Sequence, residues 1–335
     1  MTESLTISVV VPVYSGGEGF RRCLASLAET RPRPLEIIVV EDGGPDQAAK
    51  EAESFGARVI RLPTTGGPAR ARNLGASLAR GEVLLFLDAD VTVPPGIIGQ
   101  VVAIFSEQPD AAAVMGSYDE APSAENFLSQ YKNLLHHYVH QTSKEEASTF
   151  WGACGAVRRK VFLEMGGFDE SYRWPSVEDI DLGYRLRQAG HRIRLCKELQ
   201  VKHLKRWGVA SLLRSDFLHR ALPWTRLILR HGSMLDDLNL RPSSRASVCL
   251  AWALAGCLMA TAAWPTCLAI ALPVALALLA INLPVYRFFR KKRGLLFALR
   301  VVPVHWLYYF YSGLAFGIGT VQHLVNKQGL YGFDS

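Results

Sequence analysis

The chain has 335 residues, six cysteines without C-x-x-C spacing, and a formal net charge of +7. The cysteine spacing argues against a zinc site and a disulfide framework. Five of the basic residues lie within 287–293, directly after an uncharged stretch, residues 247–285. Basic residues in this position are typical of the cytoplasmic side of a membrane segment, so the positive charge does not indicate nucleic-acid binding.

Short apolar runs alternate with helical patterns along the N-terminal part of the chain. A run of β-branched residues at Ile7–Val13 is followed by apolar residues at helical spacing. The same alternation returns after three further apolar runs, at residues 36–40, 58–62 and 83–87. Repeated strand–helix units predict an α/β fold with a doubly wound, mostly parallel, Rossmann-like sheet.

The pattern is less regular beyond Pro109. It predicts strands at residues 112–116 and 153–157 with a helix over 123–141 between them. Together these elements predict one cytoplasmic domain over residues 1–240. Its last part, residues 208–240, predicts a basic helical segment that either lies in the headgroup plane or is an ordinary solvated helix.

The C-terminal part of the chain predicts a membrane domain, residues 247–325. Three apolar segments are long enough to be transmembrane helices, at residues 248–264, 266–286 and 301–325. The basic residues after the second segment place the N-terminal domain on the cytoplasmic side. The sequence therefore predicts a multi-pass protein of the cell (inner or plasma) membrane.

Two carboxylates, Asp88 and Asp90, directly follow the apolar run at 83–87. Ligands bind at this edge of a doubly wound sheet. A pair at i and i+2 can hold Mg²⁺ or Mn²⁺ against substrate phosphates. An isolated D-x-D is more often a polar strand end or a helix cap, so the interpretation depends on the surrounding motifs.

Six short motifs occur in fixed order between Ser8 and Trp207. They read VVVPVY (9–14), IIVVEDGG (37–44), GPARARNLG (67–75), DAD (88–90), GGFDE (166–170) and EDIDL (178–182). This series resembles family 2 of the glycosyltransferases, which have the GT-A fold. The resemblance implies an inverting, metal-assisted enzyme that moves a sugar from a nucleoside-diphosphate-sugar to an acceptor, and the apolar segments favour a lipid-linked or membrane-associated acceptor.

The resemblance also implies a donor-binding set: Pro12, Val13, Tyr14, Asp42, Arg70, Asn73 and Asp88. The first three are expected to line the pocket of the nucleoside base and Asp42 to contact the base. Arg70 and Asn73 are expected near the diphosphate or ribose. These chemistries are suitable, since a carboxylate accepts from a base N–H and a guanidinium donates to phosphate. A turn role for Asp42 and a solvated charge at Arg70 stay open.

Glu178 and Asp179 are the catalytic pair that the resemblance implies, with Asp179 as the general base. Asp179 opens a predicted helix, whose N-terminus favours the charged form. Capping of that helix by both carboxylates is the alternative. Asp181 and Arg185, four residues apart, are predicted to pair on the helix surface.

Residues 203–207 read HLKRW and resemble the Q-x-x-R-W element of processive, membrane-integrated members, with His203 in place of Gln. The resemblance implies that His203 is either a further metal ligand, beside Asp88 and Asp90, or a structural histidine. Arg206 and Trp207 are expected to contact the diphosphate and the acceptor.

Two alternative functions stay open: a processive polysaccharide synthase and an inactive nucleotide-sugar-binding membrane scaffold. The His203 departure argues against the first, and the complete set of carboxylates argues against the second. Cys154 is predicted to be a packed thiol, because no His–Asp pair is spaced around it as for a nucleophile.

Overall fold

The structure is a computed structural model that describes residues 5–44 and 47–331, with side chains up to Val325. It divides into two compact units, the first ending at Gly208 and the second beginning at Val209. The helical segment after Gly208 therefore groups with the C-terminal helices.

A nine-stranded sheet forms the centre of the first unit. Its strands are β1 (Ile7–Val13), β2 (Glu36–Asp42), β3 (Arg58–Leu62), β4 (Val83–Leu87), β5 (Val91–Thr92), β6 (Ala111–Tyr118), β7 (Glu146–Ala147), β8 (Cys154–Arg158) and β9 (Arg192–His203). Their order is β3-β2-β1-β4-β8-β6-β9-β5, with β7 paired to β9.

The sheet is mixed, which corrects the predicted mostly parallel arrangement. Strands β1 to β4 are mutually parallel, because a helix or a long loop returns the chain between successive strands. Strand β8 runs antiparallel to β4 and β6, and β5 and β7 run antiparallel to β9. The parallel half was predicted correctly, and long β9 was not predicted at all.

Seven helices accompany the sheet in the first unit. They are α1 (Glu18–Ala28), α2 (Gln47–Ser54), α3 (Pro68–Leu78), α4 (Ile97–Glu107), α5 (Phe127–Thr142), α6 (Arg159–Glu164) and α7 (Glu178–Gln188). Helix α3 begins with Pro68, whose fixed φ and missing N–H suit the first helical turn. Gly75 lets α3 approach β1 closely, because a Cβ there would meet the side chains of Val10 and Val40.

Four phenylalanine rings form the core beneath the end of β4. The ring of Phe86 lies 5.1 Å from those of Phe162 and Phe168, measured between centroids, and 6.4 Å from that of Phe150. All four side chains are fully buried. Edge-to-face and tilted aromatic contacts of this kind add to the hydrophobic stabilisation. This core fixes the strand end that carries Asp88.

The second unit is helical. It contains α8 (Val209–Arg214), a π-helical segment (Ser215–Ala221), α9 (Leu222–His231), α10 (Pro242–Ala260), α11 (Leu268–Ile281), α12 (Leu283–Arg293) and α13 (Leu295–Tyr331), with short 3₁₀ turns at Leu238–Leu240 and Pro265–Cys267. Its apolar core joins three helices, α10, α11 and α13, through Ala251, Leu254, Ala271, Leu278 and Tyr309.

The membrane prediction is supported only in part. Within the described residues, α10 is long and apolar enough to cross a membrane, and the bent pair Pro265–Ile281 and Leu283–Arg293 passes the same criterion only if it is one span. Helix α13 is longer but does not meet this criterion over its described residues, and its Trp, Tyr and His side chains between 305 and 311 carry polar groups. The predicted set of three spans is therefore not supported.

We expect a large loss of stability when a phenylalanine of this core is replaced by alanine. We expect Phe86→Ala to lower the free energy of unfolding of the first unit by about 3–5 kcal/mol, because it leaves a cavity among three rings. Pulse proteolysis of the full-length protein over a urea series measures this change. Phe55→Ala is the control, since Phe55 is 37% exposed, and a loss of equal size there would contradict the assignment of the core.

Candidate active site

Arg72, on α3, joins carboxylates from two different motifs. Its Nη2 donates to Oδ1 of Asp88 at 2.7 Å and its Nη1 donates to Oε1 of Glu178 at 2.9 Å. The guanidinium is buried and lies 5.5 Å from the centre of the Phe168 ring. Burial alone would lower the pKa of Arg72, but Asp88, Glu178 and Asp179 raise it above its usual value. Arg72 therefore stays charged and holds the two motifs together.

Glu178 and Asp179 have different surroundings at the start of α7. Glu178 is buried, and besides Arg72 its Oε2 accepts from the amide of Ser176 at 2.8 Å. Asp179 is partly exposed, and its Oδ2 accepts from the amide of Gly152 at 2.9 Å. Both oxygens of Glu178 thus have structural partners, and its catalytic role stays a prediction. The carboxylate of Asp179 is the member of the pair that is accessible.

Gly152 lies between the two charged groups. A Cβ at this position would be 3.3 Å from Cζ of Arg72 and 3.5 Å from Cβ of Asp179. The missing side chain lets the Gly152 amide reach the carboxylate. This contact orients Asp179, and helix α7 contributes its N-terminal dipole to the same carboxylate.

Asp90 is placed opposite His203, at the end of β9. Oδ2 of Asp90 lies 3.6 Å from Nε2 of His203, and the imidazole stacks on the ring of Tyr118 with centroids 4.3 Å apart. Burial raises the pKa of Asp90, but the nearby imidazole of His203 and the charge of Lys205 lower it below the usual value. For Asp88 the balance is reversed, because burial outweighs Arg72 and raises the pKa.

The predicted metal site is therefore not assembled as a set of three ligands. Among the residues that the structure describes, no group of three or more His, Cys, Asp or Glu side chains is arranged to hold a metal ion. The physical reason is that Asp88 pairs with Arg72, whereas Asp90 and His203 approach each other.

Asp42 organises the loop before α3. Its Oδ1 accepts from the amide of Gly66 at 2.7 Å and its Oδ2 from the amide of Gly67 at 2.9 Å. The turn role that the sequence left open is thus present. Contact with a nucleoside base stays a prediction, since each carboxylate oxygen has a second lone pair.

The side-chain amide of Asn73 bonds to the GGFDE loop. Its Nδ2 donates to the carbonyl of Phe168 at 2.8 Å and to Glu170 at 3.0 Å, and its Oδ1 accepts from the amide of Phe168 at 2.8 Å. These bonds tie the GGFDE loop to α3 and occupy both ends of the amide. Asn73 thus has a structural role in this loop, and its location near the diphosphate or ribose stays a prediction.

The three residues at the end of β1 differ in accessibility. Val13 is buried, Pro12 is half-buried, and the ring of Tyr14 is 59% exposed. The carbonyl of Tyr14 packs against Gly44 so closely that a Cβ at Gly44 would overlap it. The exposed ring of Tyr14 and the partly exposed Arg70 on the first turn of α3 are free to meet a ligand.

The HLKRW segment is divided between the surface and the interior. Arg206 is exposed, whereas Trp207 is only 6% exposed. The amide of Trp207 donates to Ser129 Oγ at 2.7 Å and its carbonyl accepts from Asn126 at 2.7 Å, so α5 holds it in place. The burial of Trp207 argues against the predicted contact with the acceptor, and Arg206 retains its predicted role.

Cys154 is a packed thiol in the structure, in agreement with the sequence. It is fully buried in β8, and burial raises the pKa of its thiol. Asp181 and Arg185 pair as predicted, with Oδ2 of Asp181 2.8 Å from Nε of Arg185, but Asp181 is buried and does not lie on the helix surface.

Sequence comparison assigns the family. Residues 8–166 match the sequence model described as Glycosyl transferase family 2. The first unit is a family 2 glycosyltransferase domain. That assignment agrees with the six motifs and with the mixed α/β sheet.

Individual proteins similar to this chain carry compatible names. A pre-mycofactocin glycosyltransferase from Mycobacterium tuberculosis is 33% identical over 201 residues, which cover 56% of this chain and 40% of that protein. A glucosyl-dolichyl phosphate glucuronosyltransferase from Haloferax volcanii is 27% identical over 216 residues, covering 59% of this chain and 69% of the other. The chain thus spans less than half the length of its mycobacterial relative.

A solved structure shares the fold. A mannosyltransferase from Pyrobaculum calidifontis in complex with GDP-Man and Mn²⁺ superposes with a TM-score of 0.61 over 91% of this chain and 88% of that one, at 19% identity. The likeness identifies the GT-A fold of the first unit.

The sequence patterns did not identify one residue of the site, Arg72. Arg72 belongs to the GPARARNLG motif, but Arg70 and Asn73 were chosen instead. Its spacing from Ala69, Gly75 and Ala76 places it on the buried face of α3. A buried arginine requires partners, so this spacing was the available signal.

Removal of the Arg72 side-chain charge is expected to destabilise the first unit strongly. Arg72→Met keeps the aliphatic stem but leaves Glu178 buried without its cation, which costs about 3–5 kcal/mol. Urea pulse proteolysis of the full-length protein provides the measurement. In the matched control, Arg80→Met removes a side chain that is 70% exposed and 3.5 Å from Glu36, and the expected loss is about 0–1 kcal/mol. Equal losses in both variants would rule out a special role for Arg72.

Proposed function

We propose that this protein transfers a sugar from a nucleoside-diphosphate-sugar to a hydroxyl group of a lipid-linked or membrane-associated acceptor, with inversion at the anomeric carbon. The observation that supports the proposal is that Arg72 forms hydrogen bonds with both Asp88 and Glu178, which belong to two different motifs. This arrangement leaves Asp179 accessible and oriented at the start of α7.

Asp179 acts as the general base in this proposal. Its carboxylate takes the proton of the acceptor hydroxyl while the acceptor oxygen forms a bond to the anomeric carbon. The bond from that carbon to the diphosphate breaks on the opposite face, and the diphosphate leaves with the electron pair. The amides of Gly152 and Ile180 donate to Asp179 at 2.9 and 2.8 Å, an arrangement that suits an ionised carboxylate.

The donor nucleotide is expected at the carboxyl ends of β1 and β2. The exposed ring of Tyr14 offers a stacking surface for the base, and Asp42 retains lone pairs for a base N–H. Arg70, at the first turn of α3, and exposed Arg206 are the cations available to the diphosphate.

A divalent cation, Mg²⁺ or Mn²⁺, fits the pair formed by Asp90 and His203. A carboxylate oxygen and an imidazole nitrogen 3.6 Å apart supply two ligands of the types that such ions accept, and Mg²⁺ and Mn²⁺ sites commonly add substrate phosphates to one or two protein ligands. When bound, the cation neutralises charge on the departing diphosphate. Asp88 then contributes through Arg72, by fixing the strand end that carries Asp90.

The acceptor class rests on the second unit and on the relatives. The name of the Haloferax volcanii relative states a dolichyl phosphate-linked sugar. Helix α10 is apolar enough to enter a bilayer, and large apolar side chains of the second unit are exposed. A membrane-associated enzyme with its first unit in the cytoplasm would have access to a lipid-linked acceptor.

Replacement of the proposed base separates chemistry from binding. Asp179→Asn is expected to lower the rate of sugar transfer by about 10²–10⁴-fold, because the amide cannot take the acceptor proton. The binding of the nucleotide-sugar is expected to stay nearly unchanged, since Asp179 contacts the acceptor side. Release of nucleoside diphosphate from a panel of donors measures the first quantity and calorimetry measures the second.

Asp110→Asn is the matched control, because Asp110 is an exposed carboxylate paired with Arg192 at the opposite side of the sheet. It should retain full activity. Undiminished transfer by Asp179→Asn would remove the base assignment, and retention of the anomeric configuration in the product, determined by NMR, would remove the inverting mechanism.

The cation ligands are tested by metal binding as well as by activity. Asp90→Asn and His203→Gln are each expected to weaken Mn²⁺ binding by at least about tenfold in the presence of nucleoside diphosphate. Electron paramagnetic resonance of free Mn²⁺ measures this affinity without turnover. Asp110→Asn should bind Mn²⁺ as the parent protein does. Unaltered affinity in both ligand variants would place the cation elsewhere, and transfer that persists in a chelator would remove the metal dependence.

A further inference from the structure

The C-terminal part of the sequence has an extreme charge distribution. Residues 238–333 contain nine basic residues and no acidic residue. Five of the nine lie within residues 287–293, on α12. So strong a local excess of positive charge attracts anions to this part of the molecule.

The few carboxylates of the second unit have other partners. Its described part contains three acidic residues, all before residue 238. Asp216 accepts a hydrogen bond from Tyr311 at 2.8 Å, Asp236 pairs with Arg245, and Asp237 accepts from the amide of Leu238 at 2.8 Å. Each of these carboxylates thus has a partner outside residues 287–293.

Helix α12 turns away from the apolar helix that precedes it. The Pro265–Ile281 and Leu283–Arg293 segments are bent by 60° at Asn282. Pro284 lacks an N–H and cannot continue the hydrogen bonding of α11, which explains the break. Nδ2 of Asn282 donates to Ser247 Oγ at 2.9 Å, and its Oδ1 accepts from Tyr309 at 2.8 Å, so the bend is held by α10 and α13.

The two faces of α12 differ in polarity. Val285, Tyr286 and Phe289 are buried, and the ring of Phe289 stacks on Phe297 of α13 with centroids 5.8 Å apart. The other face exposes a row of cations: Arg287, Arg290, Lys291 and Arg293. If α11 enters a bilayer, a helix bent by 60° from it runs closer to the bilayer surface than to the normal.

Exposed leucines adjoin these cations. Gly294, with φ +86°, ends α12, and the first turns of α13 expose Leu295 (58%), Leu296 (74%) and Leu299 (58%). Apolar side chains next to a basic cluster match the boundary between lipid headgroups and acyl chains, where cations meet phosphates and leucines leave water. We call residues 287–299 the basic tip.

We propose that the basic tip binds the surface of a bilayer that contains anionic lipids, with its arginines and lysines on the phosphates and its leucines among the upper acyl chains. The proposal rests on the membrane association proposed above and not on sugar transfer. The exposed leucines favour a lipid over a nucleic acid, because a nucleic-acid backbone offers no apolar phase for them.

The test compares lipid retention by variants of the full-length protein. The protein is purified in a neutral detergent and mixed with equal amounts of phosphatidylglycerol and phosphatidylcholine, and the retained lipids are counted by native mass spectrometry. We expect the parent protein to prefer phosphatidylglycerol, by about fivefold for each basic residue engaged. A variant with four substitutions, Arg290→Gln, Lys291→Gln, Lys292→Gln and Arg293→Gln, is expected to lose at least about tenfold of this preference.

A matched variant controls for total charge. It replaces four exposed basic residues of the first unit by glutamine: Arg33, Lys50, Lys144 and Lys160. This control should keep the preference, as should the parent protein when the free phosphate headgroup, glycerol phosphate, is added in excess. Nucleotide-sugar turnover is recorded for every variant and is expected to stay unchanged, because the basic tip lies outside the proposed catalytic residues.

Three results would overturn the inference. They are an equal preference in the parent protein and the four-glutamine tip variant, an equal loss in the first-unit control, and displacement of the anionic lipid by RNA from the parent protein, whose leucines are intact. If the parent protein retained neither phosphatidylglycerol nor phosphatidylcholine, the proposed membrane association would also be wrong. The proposal of sugar transfer is judged separately, by turnover.

Discussion

The ion pairs of Arg72 are the interaction on which the candidate site depends. One buried guanidinium contacts Asp88 at the end of β4 and Glu178 at the start of α7, which lie 90 residues apart in the chain. A buried arginine with two carboxylates is stable only if each partner is placed accurately, because an unpaired charge there is very costly. The core of phenylalanines below β4 and the glycine at position 152 supply that accuracy.

The parallel half of the sheet and the location of the site were predictable because they depend on local patterns. Each of the first four strands is a short apolar run, and parallel strands place the residues that follow them at one edge. Asp42, Asp88 and Asp90 were therefore found without a structure. The role of each carboxylate was not, since whether an oxygen meets a backbone amide, as in Asp42, or an arginine, as in Asp88, depends on contacts from distant parts of the chain.

The differences between the sequence-based predictions and the structure have a related origin. The polar and apolar residues of strand β9 alternate only in part, because Lys197 and Glu198 are adjacent. The strand also pairs with β6, some 80 residues earlier, so its local pattern did not identify it. Asn73 is polar and belongs to a motif, which led to the prediction of a ligand contact. In the structure its side-chain amide bonds with the backbone of Phe168 in the GGFDE loop. In the second unit, the sequence predicted three spans. In the structure, the second predicted span is a helix pair bent next to Pro284, and the third is part of α13, which carries polar groups.

In each of two pairs of carboxylates, one residue supports the structure and the other has a proposed chemical role. Asp88 and Asp90 are two residues apart at a strand end, and Glu178 and Asp179 are adjacent at a helix start. In each pair the first member forms a hydrogen-bonded ion pair with Arg72. The second member has another partner as well: Asp90 lies opposite His203, and Asp179 accepts from the Gly152 amide. Successive helical residues point about 100° apart, so the pair at the start of α7 cannot share one environment. A single cation in the interior thereby fixes the spacing between the proposed metal-binding carboxylate and the proposed base.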